Sequence, residues 1–383
     1  MSEVVEMSEE ERQAARAEER KRRINQILVE GRALLALILI IIVFASLTPR
    51  FLQVENMIIM TRQVAFNAIV AVGMLMAILH GGIDLSVGST VGLSGIVAGR
   101  LLEGWDMPLT ELVAYPAVWV VILVSLGVGA LVGLINGVVI ARFHVAPFIA
   151  TLGMLFVARG IALVISDGQT FTRLRGDPSL GNTGFLTVLS GRWLGIPVPV
   201  WVMVGFVIIF ALLLRSTPFG RWLYATGGNE RAAELSGVPV KKVITRAYVL
   251  SGVCAAAVGL LLTADLVAAT PRSGELFELN AIAAVVIGGA ALSGGRGTVR
   301  GTIIGAFVIG FLVSGLVLVG VSVFWQQVIK GAVIILAVAL DQAQQRLSIR
   351  QKGGEEVAAP PTTPPNEGPA AADPSTLVGQ RPG

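Results

Sequence analysis

Within the apolar stretches of this 383-residue chain, a few polar residues stand where they could do chemistry. His80 and Asp84 are near enough along the chain to pair, and an intramembrane histidine with a carboxylate can relay protons. Asp84 has a second use, because it and Ser86 precede an apolar run and can cap the amino end of a helix there. Near the outer end of the last apolar run, Gln326, Gln327 and Lys330 are polar, and positions 326 and 330 share a helix face. Amides and an ammonium suit sugar hydroxyls in a water-filled cavity, although snorkelling to the interface explains Lys330 equally well. Asn67 and Asp265 join these candidates, since polar groups within spans are functional by default.

Two glycine-rich passages resemble each other, Gly81-Gly82-Ile83-Asp84-Leu85-Ser86-Val87-Gly88-Ser89 and Gly288-Gly289-Ala290-Ala291-Leu292-Ser293-Gly294-Gly295-Arg296-Gly297. Glycine at that density either breaks helices or lets them approach closely. Gly82, Gly88, Gly288 and Gly289 are therefore candidates for a translocation path or gate, with tight packing as the alternative. His144, in a short basic loop, fits a solvated or lipid-headgroup contact.

Several chemistries have no residues to carry them. No lysine follows a glycine, so no phosphate-cradling Gly-x-x-x-x-Gly-Lys loop exists, and neither His-Glu-x-x-His nor Gly-x-Ser-x-Gly occurs. The single cysteine, Cys254, lies in an apolar run and can form neither a disulfide framework nor a thiolate metal site. No catalytic residue, cofactor or metal is expected. Nucleic acid is not an expected partner either, because the basic residues behind the net charge of +4 sit beside apolar runs.

A short polar helix is written into the longest basic loop, at Asn229, Glu230, Arg231, Ala232, Ala233, Glu234, Leu235, Ser236 and Gly237. Asn229 can cap its first turn, Glu230 suits the positive end of the helix dipole, Gly237 can take the left-handed closing position, and Pro239 blocks continuation. So short a helix does not persist alone in water, because nucleation outweighs the few hydrogen bonds gained. It is built to dock, and the expected partner is a protein.

The elements that must position these residues follow from composition. Hydrophobic residues make up 54% of the chain and charged residues 14%, and the mean hydropathy is +0.77, the profile of a polytopic membrane protein bedded in lipid bilayer. About ten apolar stretches are long enough to count as spans, near 29–47, 64–80, 86–102, 115–140, 147–165, 197–214, 244–268, 279–293, 302–319 and 324–340. Arg215, Arg221, Arg231, Lys241, Lys242 and Arg246 fall in one loop, which the positive-inside bias puts in the cytoplasm together with both termini. Trp105, Tyr115, Trp119, Trp193 and Trp325 then mark the outer interface, and Trp222 and Tyr224 the inner one. The expectation is an all-α membrane protein organised as a hydrophilic cytoplasmic segment (1–28), a transmembrane domain (29–341) with a cytoplasmic docking loop (215–246), and a disordered Pro/Gly-rich cytoplasmic tail (342–383).

From about Asn56 to Asp341 the chain resembles the permease subunits of bacterial ATP-driven monosaccharide importers, the ribose and xylose type. The resemblance rests on five passages in order: Asn67 to Met74, Gly82 to Ser89, Gly227-Gly228-Asn229-Glu230 through Gly237, Ala281 to Gly289, and Phe324 to Gly331. It implies a permease dimer in the cytoplasmic (inner) membrane, two cytoplasmic ATP-binding subunits and an extracytoplasmic sugar-binding protein. It also implies that the ATPases engage the Ala-Ala-x-x-x-Gly pattern, here Ala232, Ala233 and Gly237. His80 departs from it, standing where a small or hydroxylated residue is expected. An ion-coupled secondary sugar carrier using His80 and Asp84 is the alternative.

Overall fold

The computed structural model describes residues 31, 33–106, 113–336 and 339. The described residues up to Leu336 belong to one compact unit. The hydrophilic segment 1–28 and the tail 342–383 lie outside the described residues.

Among the described residues each apolar stretch falls on a helix, although 279–293 is helical only as far as Ile287. Six are long and apolar enough to cross a membrane: α2 (Val54–Leu79), α4 (Val118–Phe143), α5 (Pro147–Ser166), α7 (Val198–Ser216), α10 (Val240–Leu266) and α12 (Val299–Leu318). Four are shorter: α1 (Ala33–Leu47), α3 (Val87–Glu103), α11 (Phe277–Ile287) and α13 (Val323–Leu336). The remaining helices, α6 (Phe185–Ser190), α8 (Pro218–Gly228) and α9 (Glu230–Leu235), belong to connections.

Helix α2 is the hub, buried over most of its length and ringed by α7, α8, α10, α11 and α12. It begins about ten residues before the apolar stretch that marks it, because the polar turn Thr61-Arg62-Gln63 interrupts the hydropathy without breaking the helix. Two of those side chains face protein. Arg62 pairs with Asp265 of α10 at 2.8 Å, and the Ser314 hydroxyl of α12 lies 3.5 Å from the Gln63 amide oxygen. Helix α10 packs most extensively on α4, where Gly129, Gly133 and Gly137 bring that backbone against Gly252, Tyr248 and Thr245. Without hydrophobic drive between helices in lipid, such small residues are how contact area is gained.

Three connections interrupt the helices: 80–86 between α2 and α3, 267–276 between α10 and α11, and 288–298 between α11 and α12. Each contains buried residues, among them Asp84, Ser273 and Ala290. Non-helical backbone is tolerated at membrane depth only where protein or a water-filled cavity supplies its polar partners.

The first half of the connection between α5 and α7 is stapled to neighbouring elements. The Glu103 carboxylate, at the end of α3, accepts from the Thr172 and Arg173 amides at 3.0 and 2.9 Å. Phe171 bridges Ala269, and Asn182 donates to the Leu102 carbonyl at 3.2 Å while accepting from the Asp177 amide at 2.7 Å. Asp177 in turn caps a 3-10 turn at Pro178–Leu180, and the Ser179 side chain and amide hold its exposed carboxyl below the usual range. Two short hairpins complete these connections, β1 (Trp105–Asp106) with β2 (Val113–Ala114) and β3 (Arg192–Trp193) with β4 (Ile196–Pro197).

Candidate functional site

The short polar helix forms as its residues dictate. The Asn229 side chain accepts from the Ala232 amide at 2.9 Å. At the other end the Val238 amide donates to the Ala233 carbonyl and the Gly237 amide to the Glu234 carbonyl, both at 3.0 Å, with Gly237 at φ +82°. That double bond is the Schellman closure, and it needs a residue without Cβ in the left-handed position. Ala233 is buried, while Glu230, Arg231, Ala232, Glu234 and Leu235 face outward. Arg231 and Glu234 pair at 3.0 Å, an exposed contact worth little by itself.

Its neighbour α8 is not evident from composition. Thr217 caps it, Pro218 opens it, and it lays Phe219 and Leu223 inward. Its last turn meets both glycine-rich passages at one junction. The Gly295 amide donates to the Leu79 carbonyl at 2.9 Å, Gly227 lies directly over that bond, and Gly294 and Ser293 stand against Gly81. The Tyr224 hydroxyl donates to the Gly297 carbonyl at 2.7 Å, and burial pushes this phenol above its ordinary range, so it stays a donor at neutral pH. The two passages that resemble each other in sequence are thus neighbours in space, joined by the helix that leads into α9.

Behind the junction lies a buried polar network. Asp84 Oδ1 accepts from the Ser86 amide at 3.0 Å and the Ser86 hydroxyl at 2.6 Å, while Oδ2 accepts from the Ser251 hydroxyl of α10 at 2.8 Å. Asn136 of α4 donates to Ser86 Oγ at 2.9 Å, and Thr151 of α5 donates to the Ile83 carbonyl at 3.1 Å. Asp84 therefore ties the 80–86 connection to α10, and through Ser86 to α4. This corrects both sequence expectations for Asp84. It makes no bond to His80, whose Nε2 has no partner among the described residues. Nor does it cap α3, whose first residues receive no side-chain cap.

A second cluster surrounds Arg159 of α5. Its guanidinium donates to the carbonyls of Pro271, Ser273 (3.1 Å) and Gly88 (3.4 Å), with Glu275 and Glu278 close enough to act on its charge. Gly88 lies under the Glu278 carboxylate and the Gly274 carbonyl. One arginine thus holds the start of α3 against the connection into α11. Bonds from a charged donor contribute roughly 1.5–3 kcal/mol each. Arg159→Met is expected to loosen 271–278, read as faster hydrogen–deuterium exchange of those amides. Unchanged exchange there would overturn the clamp.

The remaining candidates separate. Asp265 is the Arg62 partner rather than a free cavity group. Gln326 is buried and donates to the Val321 carbonyl at 2.8 Å, closing the turn into α13, whereas Gln327 is exposed and Lys330 half-buried. The Asn67 amide reaches the Gln63 carbonyl only at 3.5 Å, and its buried Oδ1 has no partner among the described residues. Gly288 lies at the α11–α12 crossing, against Gly301, and Gly289 takes φ +89° just after α11. Arg62, Asn136, Arg159, Tyr248 and Ser251 were not singled out from sequence. Arg159 carries a usable signal, a charge inside an apolar run, whereas Arg62 lies just outside the run that marks α2. Asn136, Tyr248 and Ser251 are ordinary helix residues until the fold brings Asp84 and His80 to them.

Apolar helices broken at buried, polar, glycine-rich connections are the architecture of a membrane permease, a multi-pass protein of the cytoplasmic membrane. The chain belongs to the family described as branched-chain amino acid transport system / permease component, whose model matches residues 56–338. Among its relatives, the ribose import permease protein of Bacillus subtilis is 45% identical over 80% of this chain and 91% of its own length. The ribose import permease protein of Haemophilus influenzae is 42% identical over 83% and 94%. The xylose transport system permease protein of Escherichia coli is 34% identical over 82% and 92%. The resemblance to monosaccharide permeases drawn from five short passages is borne out along most of the chain. No solved structure matches significantly.

Proposed function

We propose that this chain is the membrane-spanning subunit of an ATP-driven importer, forming the path for a monosaccharide delivered by an extracytoplasmic binding protein. Hydrolysis takes place in separate cytoplasmic ATP-binding subunits, and a second permease copy completes the path. About ten helices cross the bilayer, with both termini and the 215–246 loop in the cytoplasm. Ribose is the first sugar to test, because relatives named for ribose import are 42% and 45% identical to this chain over most of its length.

The observation that carries the reading is α9. It is capped at both ends, anchored by Ala233, and presents Leu235, 75% exposed, beside Glu230, Arg231 and Glu234. A two-turn helix holding a large apolar side chain out toward the aqueous side fits a groove in a partner. In the proposed cycle, closure of the ATP-loaded partner displaces α9 as a rigid body, and the displacement favours one opening of the path.

Deleting Glu230 to Glu234, or changing Gly237→Pro, is expected to strip the ATP-binding subunits from the purified complex while leaving binding-protein docking intact. Wild-type stoichiometry with normal transport would overturn the docking assignment. Uptake by the intact system should stop with vanadate and survive a protonophore. The reverse pattern would favour an ion-coupled carrier.

A further inference from the structure

Tyr248 faces two ways. Its ring is fully buried in a cluster with Ala77, Ile140, Ala141, Val240, Ile244 and Ala233, the anchor of α9. Its hydroxyl points to the opposite side, toward His80, the first residue of the 80–86 connection. The two rings lie edge to face with centroids 5.3 Å apart. Neither the Tyr248 hydroxyl nor His80 Nε2 is bonded to any described residue, although both atoms are enclosed. They converge over Gly82, where a Cβ would stand 2.5 Å from the hydroxyl and 2.8 Å from the nitrogen.

A phenol and an imidazole nitrogen are complementary, since the hydroxyl donates and an unprotonated ring nitrogen accepts. Two such groups enclosed side by side and unbonded disfavour the arrangement that holds them so. One turn further along α10, on the same face, Ser251 does bond the connection, through Asp84. Tyr248 is therefore placed to make a second bond to the same connection, and a tilt of its ring would complete it.

We propose that His80 and Tyr248 form a hydrogen bond in the alternate conformation of the transport cycle, so that Tyr248 is the positioning residue passing displacement of α9 to the 80–86 connection. The proposal rests on α9 being the docking helix. Movement of Ala233 shifts the buried cluster, the ring tilts with it, and the new bond offsets the contacts given up. His80, the departure from the expected residue type, supplies the acceptor.

The test uses the complete transporter in proteoliposomes, with its ATP-binding subunits and binding protein. Tyr248→Phe keeps the ring and removes the hydroxyl. It should retain the ATP-binding subunits at wild-type stoichiometry, leave the unfolding temperature unchanged or raise it, and lower sugar transported per ATP hydrolysed about tenfold, the equivalent of one net hydrogen bond. His80→Leu should do the same, and the double variant should be no worse than either single. Wild-type transport by Tyr248→Phe would overturn the proposal. So would additive losses in the double variant. A parallel fall in unfolding temperature and transport would also overturn it, because that marks a fixed bond, direct or through water. Loss of the ATP-binding subunits from Tyr248→Phe would overturn it as well, whereas their retention after deletion of Glu230 to Glu234 would instead sink the docking assignment.

Discussion

Adding one methyl group at Gly227 is expected to end coupled transport while leaving the chain inserted in the membrane. A Cβ at that position runs directly into the Leu79 carbonyl and stands 2.6 Å from the Gly295 amide, the two ends of a single hydrogen bond. Both are backbone atoms, so no side chain can rotate away. The methyl must push α8 off the end of α2, break the Leu79–Gly295 bond, or both. Overpacking costs about 1–3 kcal/mol, and a lost hydrogen bond adds about 1 kcal/mol. The functional loss should exceed the loss of stability, because α9 follows α8 after one residue and shares its displacement. Retention of the ATP-binding subunits on Gly227→Ala permease in detergent, together with sugar uptake, measures the effect. Gly228→Ala is the control, since a Cβ there meets nothing within 4 Å and should leave both readouts intact. Normal uptake by Gly227→Ala would show that the junction tolerates separation.

Asp84→Ala should be the most destabilising single change in the polar network. The carboxylate accepts from the Ser86 amide, the Ser86 hydroxyl and the Ser251 hydroxyl, and it is 1% exposed. Truncation strands all three donors and frees the 80–86 connection from α10. Each buried donor left unpaired costs about 1–3 kcal/mol. Asp84→Asn keeps the shape and one acceptor oxygen, and the Ser251 hydroxyl can turn to accept from the new amide, so it should fall well short of that loss. Thermal unfolding of the detergent-solubilised protein orders the three: wild type, then Asn, then Ala. An unchanged unfolding temperature in Asp84→Ala, with transport abolished, would reassign Asp84 from a strut between helices to a lining group of the path.

The legible part of this molecule is the part whose physics is local. Asn229, Gly237 and Pro239 act within a turn of themselves, and the caps form where those residue types put them. That the chain is a series of apolar helices follows from runs of apolar residues, which need no knowledge of neighbours. What is not legible depends on who arrives from elsewhere in the chain. Asp84 looks like a helix cap because Ser86 is beside it, yet its decisive partner, Ser251, lies in a helix on the far side of the docking loop. Asp265 looks like an unpaired carboxylate because Arg62 sits just outside the apolar stretch that marks α2. Gly288 gives no sign in sequence that the Gly301 backbone of α12 lies against it. Helix α8 is missed because Trp222, Tyr224 and the paired glycines resemble an interfacial loop, while its apolar face is held by α7 and α10.

The Arg62–Asp265 pair also bears on how the protein is made. A chain enters the bilayer from its amino end, so α2 is delivered long before α10 has been translated. Until then Arg62 has no carboxylate to meet, and an unpaired arginine is among the least welcome residues in hydrocarbon. Asp265 is made late, so the tie between the central helix and α10 is expected to close only after the intervening helices have been synthesised.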